Sequence, residues 1–176
     1  MELFDLYTVD RERTGRSMPR GERVPEGFYR LVVHVCIFNG RDEMLIQRRQ
    51  PFKQGWSGMW DITVGGSAVA GDTSRTAVAR ELSEELGLEL SFENERPALT
   101  VNFPGGFNDI YLIEREVDLS ELKLQYEEVC EVKWSGMEEI LRMIDAGEFI
   151  PYKKSLIELI FAMRDGIGGH TREDAK

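Results

Sequence analysis

Three glutamates, Glu81, Glu84 and Glu85, stand close together near the middle of the chain. Their spacings of three and four residues would place all three carboxylates on one face of an α-helix. Neighbouring carboxylates repel one another, and a hard divalent cation turns that repulsion into ligation because Mg²⁺ and Mn²⁺ prefer oxygen ligands. A solvated surface helix can have the same composition, so these residues alone leave metal binding and a plain charged surface both open.

An amphipathic helix must carry these glutamates. Apolar residues at helical spacing form the adjoining stripe, which should face the core and leave the carboxylates at its rim. These residues are Val78, Ala79, Leu82 and Leu86. A glycine turn at 65–66 precedes the segment, and Gly87 is placed to end the helix as a C-terminal cap. The acidic face is therefore predicted to lie between a glycine turn and the core.

The spacing around the glutamates is more specific than the glutamates themselves. Gly66 is followed after five intervening residues by Asp72, and after seven more by Arg80. The pattern is completed by Glu81, Glu84, Glu85, Gly87 and Leu88. It resembles the Nudix box of the Nudix hydrolase superfamily at every specified position except Asp72. The family has glutamate there and pairs it with the motif arginine, so Asp72 keeps the charge on a shorter side chain.

The resemblance implies an enzyme that uses Mg²⁺ or Mn²⁺ to hydrolyse a diphosphate linkage by attack of an activated water on phosphorus. The implied substrate is small and phosphorylated, such as a nucleoside diphosphate linked to another moiety. Glu84 and Glu85 match the metal-binding pair, and Glu81 matches a residue that binds metal or acts as base. The Gly65 carbonyl matches a backbone ligand, and Arg80 matches the orienting arginine. Family resemblance also suggests a homodimer.

The base is less well defined, because the family often takes it from outside the motif. Glu128, ahead of a predicted strand, is the first candidate besides Glu81, and Asp109 is the second. Either residue could equally be a surface acid. His34 lies within an apolar run and is predicted to be a strand histidine, not a ligand.

Residues outside the motif are predicted to bind the substrate. Arg48, Arg49 and Lys53 cluster after a predicted strand, and arginine offers paired donors that suit diphosphate oxygens. A solvated loop would have the same composition. Trp60 could stack on an apolar part of the substrate, with core packing as the favoured alternative, and Asp109 is a further candidate contact.

Several segments resemble the branch of the superfamily close to type 1 isopentenyl diphosphate isomerase. The similarity includes Gln-Arg-Arg at 47–49, Gly-Met-Trp-Asp at 58–61 and Glu-Glu-Val at 127–129. Isomerisation needs a cysteine and a metal-binding histidine, and these positions fall on Gly65 and Ser67. The sequence therefore favours hydrolysis over isomerisation. A Nudix fold that only binds a nucleotide is a third possibility, but such modules typically lose the box glutamates, and this chain keeps all three.

Composition excludes several other classes. With 32 acidic against 22 basic side chains and a net charge of −10, the chain should repel nucleic acid polymers and anionic membranes. Its apolar runs are too short to span a bilayer and its N-terminus lacks a basic leader, which predicts a cytoplasmic protein. Cys36 and Cys130 both fall in apolar runs and are predicted to be buried thiols.

These elements predict an α/β (α+β) Nudix fold, with a mixed β-sheet sandwiched between helices (α/β/α) and an N-terminal β extension. Predicted strands cover 3–9, 29–38, 44–49, 62–64, 97–102, 107–116 and 129–134, and further helices cover 136–146 and 152–164. The turn at 39–40 is predicted to close a hairpin between the strands on either side. Residues 1–27 are predicted to form a strand and arm packed on the core, 28–165 the Nudix domain and 166–176 a flexible tail.

Overall fold

The computed structural model describes residues 2–166 and 168–170. Within these residues the strands are β1 (Leu3–Tyr7), β2 (Arg13–Pro19), β3 (Arg30–Phe38), β4 (Glu43–Arg49), β5 (Trp60–Asp61), β6 (Val64–Ser67), β7 (Leu99–Phe103), β8 (Gly106–Glu114) and β9 (Val129–Gly136). The helices are α1 (Ser74–Leu86), α2 (Met137–Ala146) and α3 (Lys154–Met163), with a short 3-10 helix at Leu119–Glu121.

Strands β3 to β9 form one seven-stranded mixed sheet with β3 at its centre. Strand β8 runs parallel to β3 along nine paired positions, and the other pairings in the sheet are antiparallel. Strands β3 and β4 pair with each other only next to the turn, where Phe38 pairs with Met44. The prediction of a hairpin is wrong for the rest of their length. The two strands diverge because β6 takes that edge of β3, while β9 pairs along β4.

Side chains alternate across β3 and divide the core into two layers. Val33 and Val35 face α1 and pack in a cluster with Leu82, whereas Cys36 and Phe38 face the opposite side, where the cluster contains α2 and α3. The predicted mixed sheet between helices is therefore confirmed. Cys36 is buried as predicted, but the prediction for Cys130 is wrong, since its side chain is exposed on β9.

Strands β1 and β2 form a separate antiparallel hairpin that packs on the sheet through its own apolar cluster of Phe4, Leu6 and Met18. Tyr7 exchanges backbone hydrogen bonds with Tyr29, and the Ala70 amide donates to the Leu3 carbonyl. The hairpin thus lies against the loop between β6 and α1. The domain boundaries remain a prediction, and most of the predicted tail, residues 167 and 171–176, lies outside the described residues.

Helix α1 is fixed at both ends. Thr73 caps its N-terminus through a reciprocal pair of hydrogen bonds with Thr76, and Gly87 ends it in the left-handed conformation with φ of 69°. Gly87 therefore has the predicted role, whereas the Thr73 cap was not foreseen. In the described part of the chain no helix combines the length and apolar composition needed to cross a membrane.

Candidate active site

A cavity of about 430 Å³ opens between β6, the acidic face of α1 and the loops that follow β4 and precede β9. It brings together eight of the residues predicted from sequence, namely Arg49, Lys53, Gly65, Arg80, Glu81, Glu84, Glu85 and Glu128. We call this space the carboxylate cavity. Three predicted substrate-binding residues, Arg48, Trp60 and Asp109, are not among those that line it.

Arg80 is held by carboxylates on both sides. Its Nε and Nη2 donate to one oxygen of Asp72 at 3.2 and 3.0 Å, and Nη2 also donates to the Ser67 carbonyl. Its Nη1 lies 3.1 Å from Glu81 and 3.0 Å from Glu84. Aspartate at position 72 is therefore long enough to pair with the motif arginine and to connect the loop after β6 with α1.

Glu81 packs directly on the glycine turn. A Cβ added to Gly66 would fall well inside van der Waals distance of the Glu81 carboxyl group, so only glycine leaves room for it. Burial raises the pKa of Glu81, while the adjacent Arg80 lowers it and Glu84 raises it. The turn thereby fixes the position of one carboxylate at the inner wall of the cavity.

Glu85 is the most deeply buried of the three glutamates, at 5% exposed. Burial raises its pKa to about 8, partly offset by the Gln47 amide, which donates to Glu85 Oε2 at 2.8 Å. The other amide atom, Gln47 Oε1, is buried with no hydrogen-bond partner among the described residues. Burying the Glu85 carboxylate beside the unpaired Gln47 oxygen costs free energy, because both atoms carry negative charge. A cation bound at this wall would offset that cost.

No three acidic, histidine or cysteine side chains are already gathered as a metal site in the ranges 2–166 and 168–170. The Arg80 guanidinium is paired with both Glu81 and Glu84. The donor chemistry nevertheless fits Mg²⁺ or Mn²⁺, since all the candidate ligands are oxygens and Glu85 has no cationic partner among the described residues.

The loop after β4 closes the opposite wall. The Lys53 ammonium pairs with the Glu128 carboxylate, and the rings of Phe52 and Tyr126 pack at 5.7 Å between centroids. These two contacts join the loop to the segment before β9. Glu128 therefore lines the cavity, and its carboxylate is paired with Lys53.

The three predicted residues outside the cavity have other partners. Arg48 donates to the Gly58 carbonyl at 3.0 Å, and Trp60 is 8% exposed in the core on the α2 and α3 side of the sheet. Asp109 is 1% exposed, pairs with Arg11 at 2.8 Å and accepts from Thr100. Asp109 therefore ties the turn of the N-terminal hairpin to β7 and β8.

Sequence reasoning missed a buried polar group on the floor of the cavity. The Tyr152 hydroxyl donates to Asp61 at 2.8 Å and lies 3.4 Å from His34 Nε2, whose Nδ1 is 2.7 Å from the Asn108 side chain. Burial raises the pKa of Asp61, although His34 opposes the shift. His34 is a satisfied strand histidine as predicted from sequence, and it lines the cavity.

Arg20 and Arg30 also line the cavity, and neither was predicted. Arg20 comes from the N-terminal hairpin, and Arg30 begins β3. An arginine at the start of a buried strand is a signal that sequence could have offered, because arginine is costly to bury without a partner. The sequence gives no indication that residues 34, 61 and 152 come together, since they are far apart along the chain.

Comparison with known proteins gives a consistent assignment. A family model described as the NUDIX domain matches residues 28–156. An uncharacterized Nudix hydrolase of Listeria innocua is 45% identical over 152 residues, covering 86% of this chain and 90% of the relative. An isopentenyl-diphosphate Delta-isomerase of Citrobacter koseri is 28% identical over 117 residues, covering 62% of this chain and 64% of the isomerase.

A solved structure shows the same fold. A Deinococcus radiodurans protein superposes with a TM-score of 0.71 at 25% identity, covering 90% of this chain and 97% of that protein. The two resemblances found in the sequence, to the Nudix superfamily and to its isomerase branch, are therefore confirmed.

Proposed function

The chain belongs to the Nudix family of hydrolases, and we propose that it cleaves a diphosphate linkage in a small phosphorylated substrate with the help of a divalent metal ion. One observation carries the proposal: Glu81, Glu84 and Glu85 reach a single cavity together with the basic residues Arg49 and Lys53. Carboxylates suit the metal and basic groups suit phosphate oxygens, so one space offers both kinds of partner.

We assign the metal, Mg²⁺ or Mn²⁺, to Glu81, Glu84, Glu85 and the carbonyl of Gly65. Such an ion, when bound, neutralises phosphate oxygens and makes a water molecule more acidic. Residues of the chain itself hold the three carboxylates in position. The Gly66 backbone holds Glu81, Gln47 holds Glu85, and Arg80 holds Glu84 at 3.0 Å. Each carboxylate is therefore oriented before substrate arrives.

Glu81 is the base that the geometry favours. It stands at the inner wall, where its carboxylate can accept a proton from an attacking water. Glu128, the first candidate outside the motif, lines the same cavity, but its carboxylate is paired with Lys53. Glu128 then keeps Lys53 in place, and Arg49 and Lys53 bind the substrate's phosphate oxygens.

Isomerase chemistry is disfavoured by the space around Gly65. The cysteine that isomerisation requires would fall at this position, where a Cβ would collide with the His34 ring. His34 is held in place by its bonds to Asn108 and Tyr152. A role limited to nucleotide binding is also disfavoured, because binding a nucleotide without cleaving it does not require three oriented glutamates.

The test is metal-dependent turnover of a panel of nucleoside and non-nucleoside diphosphates by the wild-type chain and by Glu84→Gln. We expect phosphate-containing products with Mg²⁺ or Mn²⁺, and a loss of turnover of about a hundredfold or more in the variant. Glu95→Gln, an exposed glutamate away from the cavity, is the matched control. Full activity of Glu84→Gln would overturn the metal assignment. Dimethylallyl diphosphate formed from isopentenyl diphosphate would instead establish the isomerase.

The proposal also places the protein in the cytoplasm as a homodimer that acts on neither nucleic acid polymers nor membranes. The net charge of −10 supports the exclusion of polyanions. Light scattering during size-exclusion chromatography tests the oligomeric state, and a monomer at micromolar concentration would contradict the dimer.

A further inference from the structure

Arg30 is held in an unusually well-defined position for an arginine without an acidic partner. Its Nη1 donates to the Ser67 hydroxyl at 2.6 Å. Its guanidinium carbon lies 5.8 Å from the ring centroid of Phe4 and 5.7 Å from that of Phe103. The hydroxyl and the two rings together fix the guanidinium, so little side-chain entropy remains to be lost on binding.

Burying the charged Arg30 guanidinium at this position costs electrostatic free energy. Arg30 is half-buried and forms no ion pair among the described residues, and burial together with the nearby Arg20 lowers its pKa. Arg20 itself pairs with Glu2 at 2.6 Å. A half-buried guanidinium next to a second arginine gains most from an anion, because an anion restores the charge balance lost on burial.

Arg30 also lies at the junction of two spaces. Arg20, Arg30 and Ser67 line the carboxylate cavity and also a second cavity of about 1230 Å³. The larger cavity runs between the segment 20–29 and the turn at 103–105. Aromatic and charged side chains share its lining, which suits a polar organic group more than a bare ion.

We propose that Arg30 binds the substrate phosphate farther from the carboxylate cluster, and that the larger cavity holds the organic group attached to that phosphate. The substrate class is then a diphosphate whose phosphate farther from the carboxylate cluster carries an organic group. This inference rests on the proposed function for the identity of the first phosphate. Arg20, at the end of the N-terminal hairpin, adds a second positive charge near the bound phosphate. This hairpin lies outside the matched family domain.

The test measures binding at equilibrium with probes that cannot be hydrolysed. Methylenediphosphonate, which carries no organic group, and the methylene-bridged analogue of ADP are titrated calorimetrically in Mg²⁺ into the wild-type chain, Arg30→Met and Arg115→Met. Arg115 is an exposed arginine that serves as the matched control. We expect Arg30→Met to bind both analogues at least about tenfold more weakly, because a hydrogen bond to a charged group is lost. Arg115→Met should match the wild type.

Further variants separate the two parts of the proposal. Ser67→Ala keeps the Arg30 charge but removes its anchor, so we expect weaker binding than wild type and tighter binding than Arg30→Met. Gly105→Leu narrows the larger cavity at a position where a Cβ meets only ordinary contacts. It should weaken binding of the ADP analogue and leave binding of methylenediphosphonate unchanged.

Equal affinity of wild type and Arg30→Met for both analogues would overturn the anion site, as would no binding by the wild type. Equal affinity of the wild type for the two analogues would overturn the role of the larger cavity. If Arg30→Met fails to fold, Arg30→Lys, which loses the paired donors, and Ser67→Ala replace it, and wild-type affinity in both would overturn the anion site. Because no turnover is involved, a wild-type chain without hydrolase activity would contradict the proposed function while this binding test still gave its own answer.

Discussion

The carboxyl group of Glu81 rests on the backbone of Gly66 in the space that a side chain at residue 66 would occupy. Strand β6 cannot move away to make room, because Gly66 pairs with Val33 at the centre of the sheet. The position of the carboxylate that we propose as the base therefore depends on a residue that itself has no side chain.

We expect Gly66→Ala to displace Glu81 and to lower kcat by about a hundredfold, since displacements near 1 Å in an active site have effects of this size. Thermal unfolding should show that the variant still folds. Gly136→Ala, where nothing lies within 4 Å of the added Cβ, is the control and should keep wild-type kcat. A Gly66→Ala chain with normal kcat would show that the position of Glu81 is not critical.

Asp72 should contribute to stability as well as to activity. Its carboxylate accepts from Arg80, from the Thr76 hydroxyl and from the Val69 amide. We expect Asp72→Ala to lower the free energy of unfolding by about 1–2 kcal/mol, a value between those for exposed and buried ion pairs. Urea denaturation measures the change. Asp72→Glu, the residue typical of the family, should lose less, and equal losses would argue against a role for the charge.

Glu81 and Glu128 should differ sharply when each is replaced by glutamine. We expect Glu81→Gln to lower kcat by about 10²–10⁴-fold, the range for loss of a general base, and Glu128→Gln to lower it by less than about tenfold. Steady-state kinetics at saturating Mg²⁺ measure both. If Glu128 acts through Lys53, then Glu128→Gln should have no added effect in the Lys53→Met chain. A larger loss from Glu128→Gln than from Glu81→Gln would reverse the assignment.

Asp61 makes stability depend on pH. Burial raises its pKa in the folded chain, with His34 and Arg49 opposing the shift and Tyr152 donating to it. The folded state therefore holds this proton more tightly than the unfolded state does. The stabilising contribution is full below the unfolded pKa and is lost as the pH rises through the folded pKa.

Asp61→Asn keeps an acceptor oxygen and cannot ionise. We expect it to be more stable than wild type at pH 8, with the difference in the free energy of unfolding closing as the pH is lowered. Urea denaturation at several pH values measures this difference, with the exposed Asp10→Asn as control. A constant difference at all pH values would mean that Asp61 is not the titrating group.

The sequence was a good guide to local elements and to the motif helix. Periodicity placed β3, β8, α2 and α3 within a few residues of their observed bounds, because their apolar positions repeat at the spacing of strands and helices. The β3–β4 pairing was mispredicted beyond its tip, since the choice of partner depends on β6 and β9, which come later in the chain.

The candidate site was less predictable outside the motif. The box fixes Arg80 and its glutamates by helical spacing alone, which is a local property. Asp109 is an acid on a core strand, and nothing near it in sequence shows that Arg11 would pair with it. Arg20 reaches the cavity because the N-terminal hairpin packs against the loop between β6 and α1, a long-range contact, whereas Arg30 reaches it from the start of β3.

The His34 ring, which stands where a side chain at position 65 would be, also constrains how such a chain can change over evolutionary time. A cysteine could enter position 65 only after residue 34 had become smaller. The two substitutions are therefore ordered: the reverse sequence passes through an intermediate with a steric clash in the central sheet. Because of this epistasis, a path towards isomerase-like chemistry begins at His34, a residue outside the Nudix box, before either position 65 or position 67 changes.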